Sequence, residues 1–404
     1  MDYLFEDLLV IDAATFLAGP GAATVLGDYG ARVVKIEPPG GDRYRTLKGA
    51  WHIDYNWLLT SRNKESLALD VSQPEARRIV HELVGHADVF ITNFIGDQLA
   101  KFEYEYDRIH EINPKIIYAH ISGYGTKGPH VSKRGFDSSA WWARSGLMDF
   151  VREQGAIPST SAPGMGDHAT AITLFSAIVS ALYRRERTGQ GGYVSTSLMA
   201  NGIWSNGMLL QGMLSGTDVS MRKQTRGVNN PFAHVYETLD GQFILFTVIN
   251  AEREWPQLAK ALDHPEWLDD ERFSDLRTLI ENRHALIELL EESIRTMSVE
   301  EAISRLDEHG ITHSWVMPNG RVVDDEQAIL NEMIVETGHM DEEYRRTVMN
   351  PLHITGEEKK QPRKAPDVGA DGRSVLRSIL NKTDADIDRL VDLGAVLEPE
   401  NQSS

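Results

Sequence analysis

Short apolar runs alternate with stretches of helical periodicity through the first half of the chain. The runs are Leu8-Leu9-Val10-Ile11-Asp12, Arg32-Val33-Val34-Lys35-Ile36-Glu37, Ser66-Leu67-Ala68-Leu69-Asp70, Asp88-Val89-Phe90-Ile91-Thr92-Asn93, and residues 115–122. Glycine, proline or asparagine bounds most of them, the pattern of buried strands. Between them the periodicity predicts helices. One is a small-residue helix with Pro20 near its first position and its end near Gly30. A second spans 74–86, with Ala76, Ile79, Val80 and Leu83 on one face, and a polar connection with a short helix follows over 101–112. Parallel strands need such crossovers, so the alternation predicts a doubly wound, Rossmann-like α/β sheet. Ligands in these sheets sit beyond the carboxyl ends of the strands, where Leu17, Pro38, Asn93 and Gly123 fall. The first strand–helix–strand unit, residues 8–41, has no GxGxxG, so it lacks a dinucleotide fingerprint.

The clearest helix begins near Gly164-Met165-Gly166-Asp167-His168. Ile172, Phe175, Val179 and Leu182 recur at three- and four-residue spacing. Arg184, Arg185 and Arg187 occupy the last turn, where cations suit the helix dipole, and Gly189 is a stop signal. Asp167 is thereby expected at or near the N-cap. Two roles are open to it: a cap that accepts backbone N–H groups, or, flanked by glycines that let another molecule approach, a covalent nucleophile.

Residues 193–198 alternate as a strand and 199–214 read as one helix with core-filling methionines. The pattern changes near residue 220. Residues 236–246 form a hairpin around Asp240-Gly241, polar helices cover about 254–310, and 311–316 is a strand. We expect a smaller α+β domain over 225–325. The basic, proline-bearing stretch 351–366 is expected to be extended, and a last short helix begins at Asp384 and ends at Gly394.

A chain of 404 residues with 41% hydrophobic content accommodates two domains. It has no run of 18 apolar residues, so no membrane span is expected, and its acidic first residues do not read as a secretory or transit signal. Absence of cysteine excludes disulfides, thiol catalysis and thiolate metal sites, and fits a cytoplasmic protein. A net charge of −19 argues against nucleic-acid or anionic-membrane partners. An anionic ligand then needs a local basic pocket. Lys127, Lys133, Arg134 and Arg144, interleaved with Phe136, Trp141 and Trp142, form either such a rim or a solvated loop followed by an amphipathic helix.

These residues together resemble the class III CoA-transferase family, which also contains the 2-methylacyl-CoA racemases. The resemblance runs over nearly the whole chain. It is carried by Val33-Val34-Lys35-Ile36-Glu37 with Pro39-Gly40-Gly41-Asp42, by Arg62-Asn63-Lys64-Glu65-Ser66 with Leu69-Asp70, and by Asn93-Phe94. Asn113-Pro114, Gly123-Tyr124-Gly125, Gly128-Pro129, Gly166-Asp167, Glu186-Arg187-Thr188-Gly189-Gln190-Gly191 and Arg363-Lys364-Ala365-Pro366 continue it. Trp142-Ala143-Arg144-Ser145-Gly146 resembles members that act on 2-hydroxyacyl groups.

The resemblance implies an interlocked homodimer. Its large α/β domain is built from residues 1–224 and a return segment, 326–404. It implies an enzyme that moves CoA from an acyl-CoA thioester to a small carboxylic acid, with coenzyme A as the only cofactor and no metal. Asp167 falls on the family's nucleophile. The implied CoA contacts are Leu17, Ala18, Leu69, Ser72, Asn93, Phe94, Ile95, Lys101, Lys133, Arg134, Gly135 and Phe136. The chain departs from oxalate-using members at Leu17, which stands for a glutamine, and at Pro38, which stands for a basic contact. It departs also at Thr225-Arg226-Gly227-Val228-Asn229-Asn230, where those members carry a glycine-run loop. These departures speak against formyl-CoA and oxalate as substrates. Two other readings remain: a racemase using a histidine–aspartate pair, whose histidine would stand at Phe136, and a CoA-binding protein in which Asp167 only caps its helix. His168, beside Asp167, is read as a polar residue of the helix start.

Overall fold

A computed structural model describes residues 3–48, 50–152, 155–217 and 230–399. The chain divides into two compact units, one comprising Met1–Val151, Pro158–Gln211 and Ile329–Ser404, the other Arg152–Ile157 and Gly212–Ala328.

The first unit is built on a seven-stranded sheet. β1 (Leu9–Asp12), β2 (Arg32–Glu37), β3 (Lys64–Leu69), β4 (Val89–Thr92), β5 (Ile117–Ser122) and β6 (Gly192–Ser197) are parallel, in the order 3-2-1-4-5-6. The strand order reverses between β1 and β4, the position where doubly wound sheets open a crevice. Successive residues serve opposite faces. Val10, Val33, Val89 and Ile117 pack with α1 (Ala18–Asp28) and a long helix, Met165–Thr188. Ile11, Val34, Leu67 and Phe90 pack with the helix Pro74–His86 and the C-terminal helices Gly372–Leu380 and Asp384–Asp392. Both faces are thus covered, which explains why the strands read as near-continuous apolar runs.

The second unit holds an antiparallel sheet of β7 (Val235–Glu237), β8 (Phe243–Phe246) and β9 (His313–Trp315). Gly241 takes the positive φ of the Asp240-Gly241 turn, and helices such as Ala251–Ala261 and Arg283–Ile294 close a core on Tyr236, Phe246, Trp255 and Leu290. After it the chain returns to the first unit. There β10 (Ile334–Glu336) pairs with β11 (Arg346–Val348), and β12 (Val396–Leu397) adds antiparallel to β3.

Two expectations change. Residues 199–214 form two helices, Leu198–Ser205 and Gly207–Leu214, parted at Asn206, whose amide donates to the Ser145 carbonyl at 3.1 Å. The core stripe of the long helix is rotated: Ala171, Leu174, Phe175, Ile178, Ala181 and Leu182 are buried, whereas Ile172 and Val179 are only partly so. This helix has the length and apolar composition to cross a membrane, but here that stripe is spent on the sheet. Thr225 to Asn229 lie outside the described residues.

Candidate active site

The carboxyl ends of β1, β2, β4 and β5 open into a cleft of about 1160 Å³, lined wholly by the first unit. Three loops and one helix start build it. After β1, Thr15 is held through its N–H to Asn93 Oδ1 at 3.0 Å, and Asn93 Nδ2 donates back to the Thr15 carbonyl at 2.8 Å. The next residue, Phe16, takes φ +64°, a left-handed conformation that costs a bulky side chain energy. Asp42, from the loop after β2, accepts its N–H at 3.3 Å. Asp42 also accepts from Tyr44 N at 2.9 Å and pairs with Lys35 Nζ at 3.3 Å, so one carboxylate ties two cleft walls to the sheet.

The helix Met165–Thr188 begins at Gly164, in the left-handed region at φ +79°. Asp137, in a π-helical turn spanning Asp137–Ala143, accepts the Gly164 N–H through Oδ2 at 2.7 Å. A Cβ on Gly166 would lie 2.5 Å from the Trp141 ring, so only glycine lets this turn of helix seat against the indole. Asp167 is the third helical residue. Of the two roles left open for it, the cap is not taken up here, because glycine makes the turn and Asp137 takes the freed donor. Among the described residues the Asp167 carboxylate makes no hydrogen bond or ion pair.

Burial, and after it the charge of Asp137, pushes the Asp167 carboxyl up to about 7. Burial likewise lowers His168, with Arg62 adding to the effect, so its imidazole is neutral at neutral pH. Tyr44 is raised by burial and by the charges of Asp167 and Asp137, so its phenol stays a donor. Leu17, Phe16, Tyr44 and Phe136 line the same cleft. The Phe16 ring lies 5.7 Å from that of Phe136 and 6.4 Å from that of Tyr44.

Of the residues singled out from sequence, Asp167, Leu17, Ala18, Leu69, Asn93, Phe94, Arg134, Gly135 and Phe136 line this cleft. Ser72, Ile95, Lys101 and Lys133 do not. Ser72 turns its hydroxyl onto Asp70 at 2.6 Å, Lys101 lies over the Phe102 ring, Lys133 lies over Tyr124, and Ile95 precedes the Gly96 turn away from the lining. Of the anticipated basic rim, Arg134 alone lines the cleft; the second lining arginine is Arg43. Sequence reasoning passed over Arg43, Tyr44 and Asp137, although Arg43 and Tyr44 directly follow Gly41-Asp42 and Asp137 directly follows Gly135-Phe136.

A doubly wound sheet whose switch-point cleft presents a carboxylate without a partner among the described residues defines an α/β protein with a ligand-sized cleft. The sequence profile of CoA-transferase family III matches residues 5–372, and the chain belongs to that family. It is a CoA-transferase, and its substrates are CoA thioesters and carboxylic acids. It is 29% identical to (R)-2-hydroxy-4-methylpentanoate CoA-transferase of Clostridioides difficile, over 93% of this chain and 95% of that one. It is 28% identical to cinnamoyl-CoA:phenyllactate CoA-transferase of Clostridium sporogenes, over 96% of each chain. Among solved structures, a CAIB/BAIF family protein from Brucella suis superposes with a TM-score of 0.81 at 26% identity, covering 94% of this chain and 100% of that one.

Proposed function

We propose that Asp167 is the covalent nucleophile of an acyl-CoA:carboxylate CoA-transferase acting on 2-hydroxy acids. The observation that carries this reading is a carboxylate in a helix first turn, lining a large cleft and making no hydrogen bond or ion pair among the described residues. A capping carboxylate would be occupied by backbone donors. With its pKa near 7, this carboxylate is more basic than an ordinary one yet substantially ionised at neutral pH.

One Asp167 Oδ attacks the thioester carbonyl carbon. The C–S bond breaks, and a mixed anhydride and CoA thiolate result. The thiolate attacks Asp167 Cγ, the anhydride C–O bond breaks, the donor acid leaves, and an aspartyl-CoA thioester remains. The acceptor carboxylate then attacks Cγ and expels the thiolate. The thiolate takes the acyl group from the second anhydride, which restores the Asp167 carboxylate. Each step conserves an activated acyl bond. First-turn N–H groups of Gly166 and Asp167, which have no intrahelical acceptor, and the Tyr44 hydroxyl can receive charge at the carbonyl oxygens. The apolar wall of Leu17, Phe16 and Phe136 protects the anhydrides from water.

Both relatives named above transfer CoA to or from 2-hydroxy acids by their names, in keeping with the Trp142–Gly146 run. A homodimer accords with Trp204 and Met208, whose side chains lie largely open to solvent on the first unit. We place the enzyme in the cytoplasm on its lack of cysteine.

Incubation with an acyl-CoA and hydroxylamine, followed by peptide mass analysis, should show a hydroxamate at Asp167. Asp167→Ala should retain fold and CoA binding but lose turnover by about a thousandfold or more. Undiminished turnover, or α-deuterium wash-in without CoA exchange, would refute the assignment.

A further inference from the structure

Phe16 carries a conformation that its residue type disfavours. Among the described residues the other non-glycine positions of positive φ are asparagine, aspartate or glutamate; Phe16 is the aromatic one. A bulky residue keeps such a φ where its surroundings impose it, whereas glycine would adopt it at no steric cost. The chain places a ring there, and that ring bridges Tyr44 and Phe136, which come from two other loops, at 6.4 and 5.7 Å. Directly after it comes Leu17, which is buried. A Cβ on Gly164 would lie 3.1 Å from Leu17 Cδ1, so Leu17 packs against the residue that starts the Asp167 helix.

Two side chains impose the turn. Asn93 fastens Thr15, the residue before it, by its N–H and its carbonyl. Asp42 acts on Phe16 itself: both carboxylate oxygens lie 3.3 Å from the Phe16 N–H donor. The same carboxylate accepts the Tyr44 N–H at 2.9 Å and meets Lys35 Nζ at 3.3 Å, and Lys35 also donates to the Ala14 carbonyl, two residues before Phe16. Asp42 is in turn anchored to the end of β2, its N–H donating to Glu37 Oε2 at 2.9 Å. It is 1% exposed, so it acts on a substrate through what it holds.

We propose that Asp42 is a positioning residue for CoA transfer: by fixing Phe16 in its left-handed turn, it sets the cleft wall of Phe16 and Leu17 against the start of the Asp167 helix. The proposal rests on the reading of this cleft as the site of transfer. Asp42→Asn leaves one acceptor oxygen for two backbone donors and turns an amide N–H toward an ammonium or a backbone N–H. Phe16 should then relax to negative φ and carry its ring and Leu17 away from the helix start.

The experiment measures kcat/KM on the full-length protein for the wild type, Asp42→Asn, Phe16→Gly and the double variant. The donor is whichever of 4-methyl-2-hydroxypentanoyl-CoA, 3-phenyl-2-hydroxypropanoyl-CoA and succinyl-CoA the wild type uses fastest, and samples are matched for folded fraction. Asp42→Asn should lower kcat/KM about a hundredfold, the effect of displacing a site wall by about 1 Å. On the Phe16→Gly background, where positive φ carries no strain, the same substitution should cost about fivefold or less. A crystal structure of Asp42→Asn should show Phe16 at negative φ. Asp42→Glu, which keeps the charge beside Lys35 but is a methylene too long for this geometry, replaces Asp42→Asn should that variant not fold. Equal costs on the two backgrounds overturn the proposal, because Asp42 then acts by supporting the fold through Lys35; so does a Phe16 that stays at positive φ in the variant. Undiminished turnover in Asp167→Ala overturns instead the reading of the cleft on which the proposal rests.

Discussion

Two sets of charge in the first unit, one buried and one half-buried in the cleft, are treated in opposite ways. The buried carboxylates Asp12, Glu37 and Asp28 are matched by cations. Asp12 pairs with Lys64 at 2.9 Å and Lys35 at 3.8 Å, Glu37 holds Arg45 at 2.7 Å, and Asp28 grips Arg62 through two bonds of 2.9 and 2.7 Å. Burial works against the charge on Lys35, but Asp12, Asp42 and Glu37 outweigh it and hold the ammonium above the ordinary lysine range. In the cleft, the charge of Asp137 helps to raise the Asp167 carboxyl, and neither carboxylate forms an ion pair among the described residues. The matched charges fix backbone: Lys64 also donates to the Pro20 carbonyl at 2.7 Å, and Asp42 holds Phe16 in its strained turn. Of the unmatched pair, Asp137 holds the Gly164 N–H and Asp167 holds nothing among the described residues. The two sets differ in partners more than in residue type.

The contrast can be broken most forcefully from the scaffold side. Arg62→Ala leaves Asp28 buried without its partner and should cost about 3–5 kcal/mol of stability, seen as a lower denaturation midpoint. On the cleft side the sign should invert. The Asp167 carboxyl ionises near pH 7 in the folded chain but near 3.8 when unfolded, so its ionisation favours unfolding. That penalty is absent below pH about 4, grows up to about 7 and is complete above it. Allowing for the carboxylate's access to solvent in the cleft, Asp167→Asn should be more stable than the wild type by about 2 kcal/mol at pH 8 and equal to it at pH 3.5. A variant less stable at both pH values would mean that the carboxylate is structural. The smallest effect concerns Asp137→Asn. With the neighbouring negative charge gone, Asp167 ionises more easily. The acidic limb of kcat/KM should move to lower pH by up to about one unit, worth about 1.4 kcal/mol.

Much of the architecture was legible along the chain because parallel strands covered on both faces carry near-uniform apolar runs. β1 and β2 fall within a residue of their expected bounds. Where the reading slipped, the cause is local. The stripe of the long helix was traced through Ile172 and Val179, since Ala171 and Ala181 do not stand out as apolar anchors, yet small residues are what fit against α1. The helix expected over 199–214 breaks at Asn206, whose bond to Ser145 is long-range and has no sequence signal. Lys101 and Lys133 have the charge expected of a phosphate contact, but both lie along aromatic rings outside the cleft.

The sequence by itself determined the alternation of strands and helices, the turn glycines and the exclusion of thiol chemistry, because these depend on composition and on neighbours a few positions apart. Only the tertiary structure decided that Asp167 is a free carboxylate and not a cap. That outcome depends on Asp137 reaching across from another loop to take the Gly164 N–H, and on Trp141 meeting the helix where Gly166 lacks a side chain. A carboxylate's reactivity is set by the charges and donors around it in space, and chain folding alone brings those together.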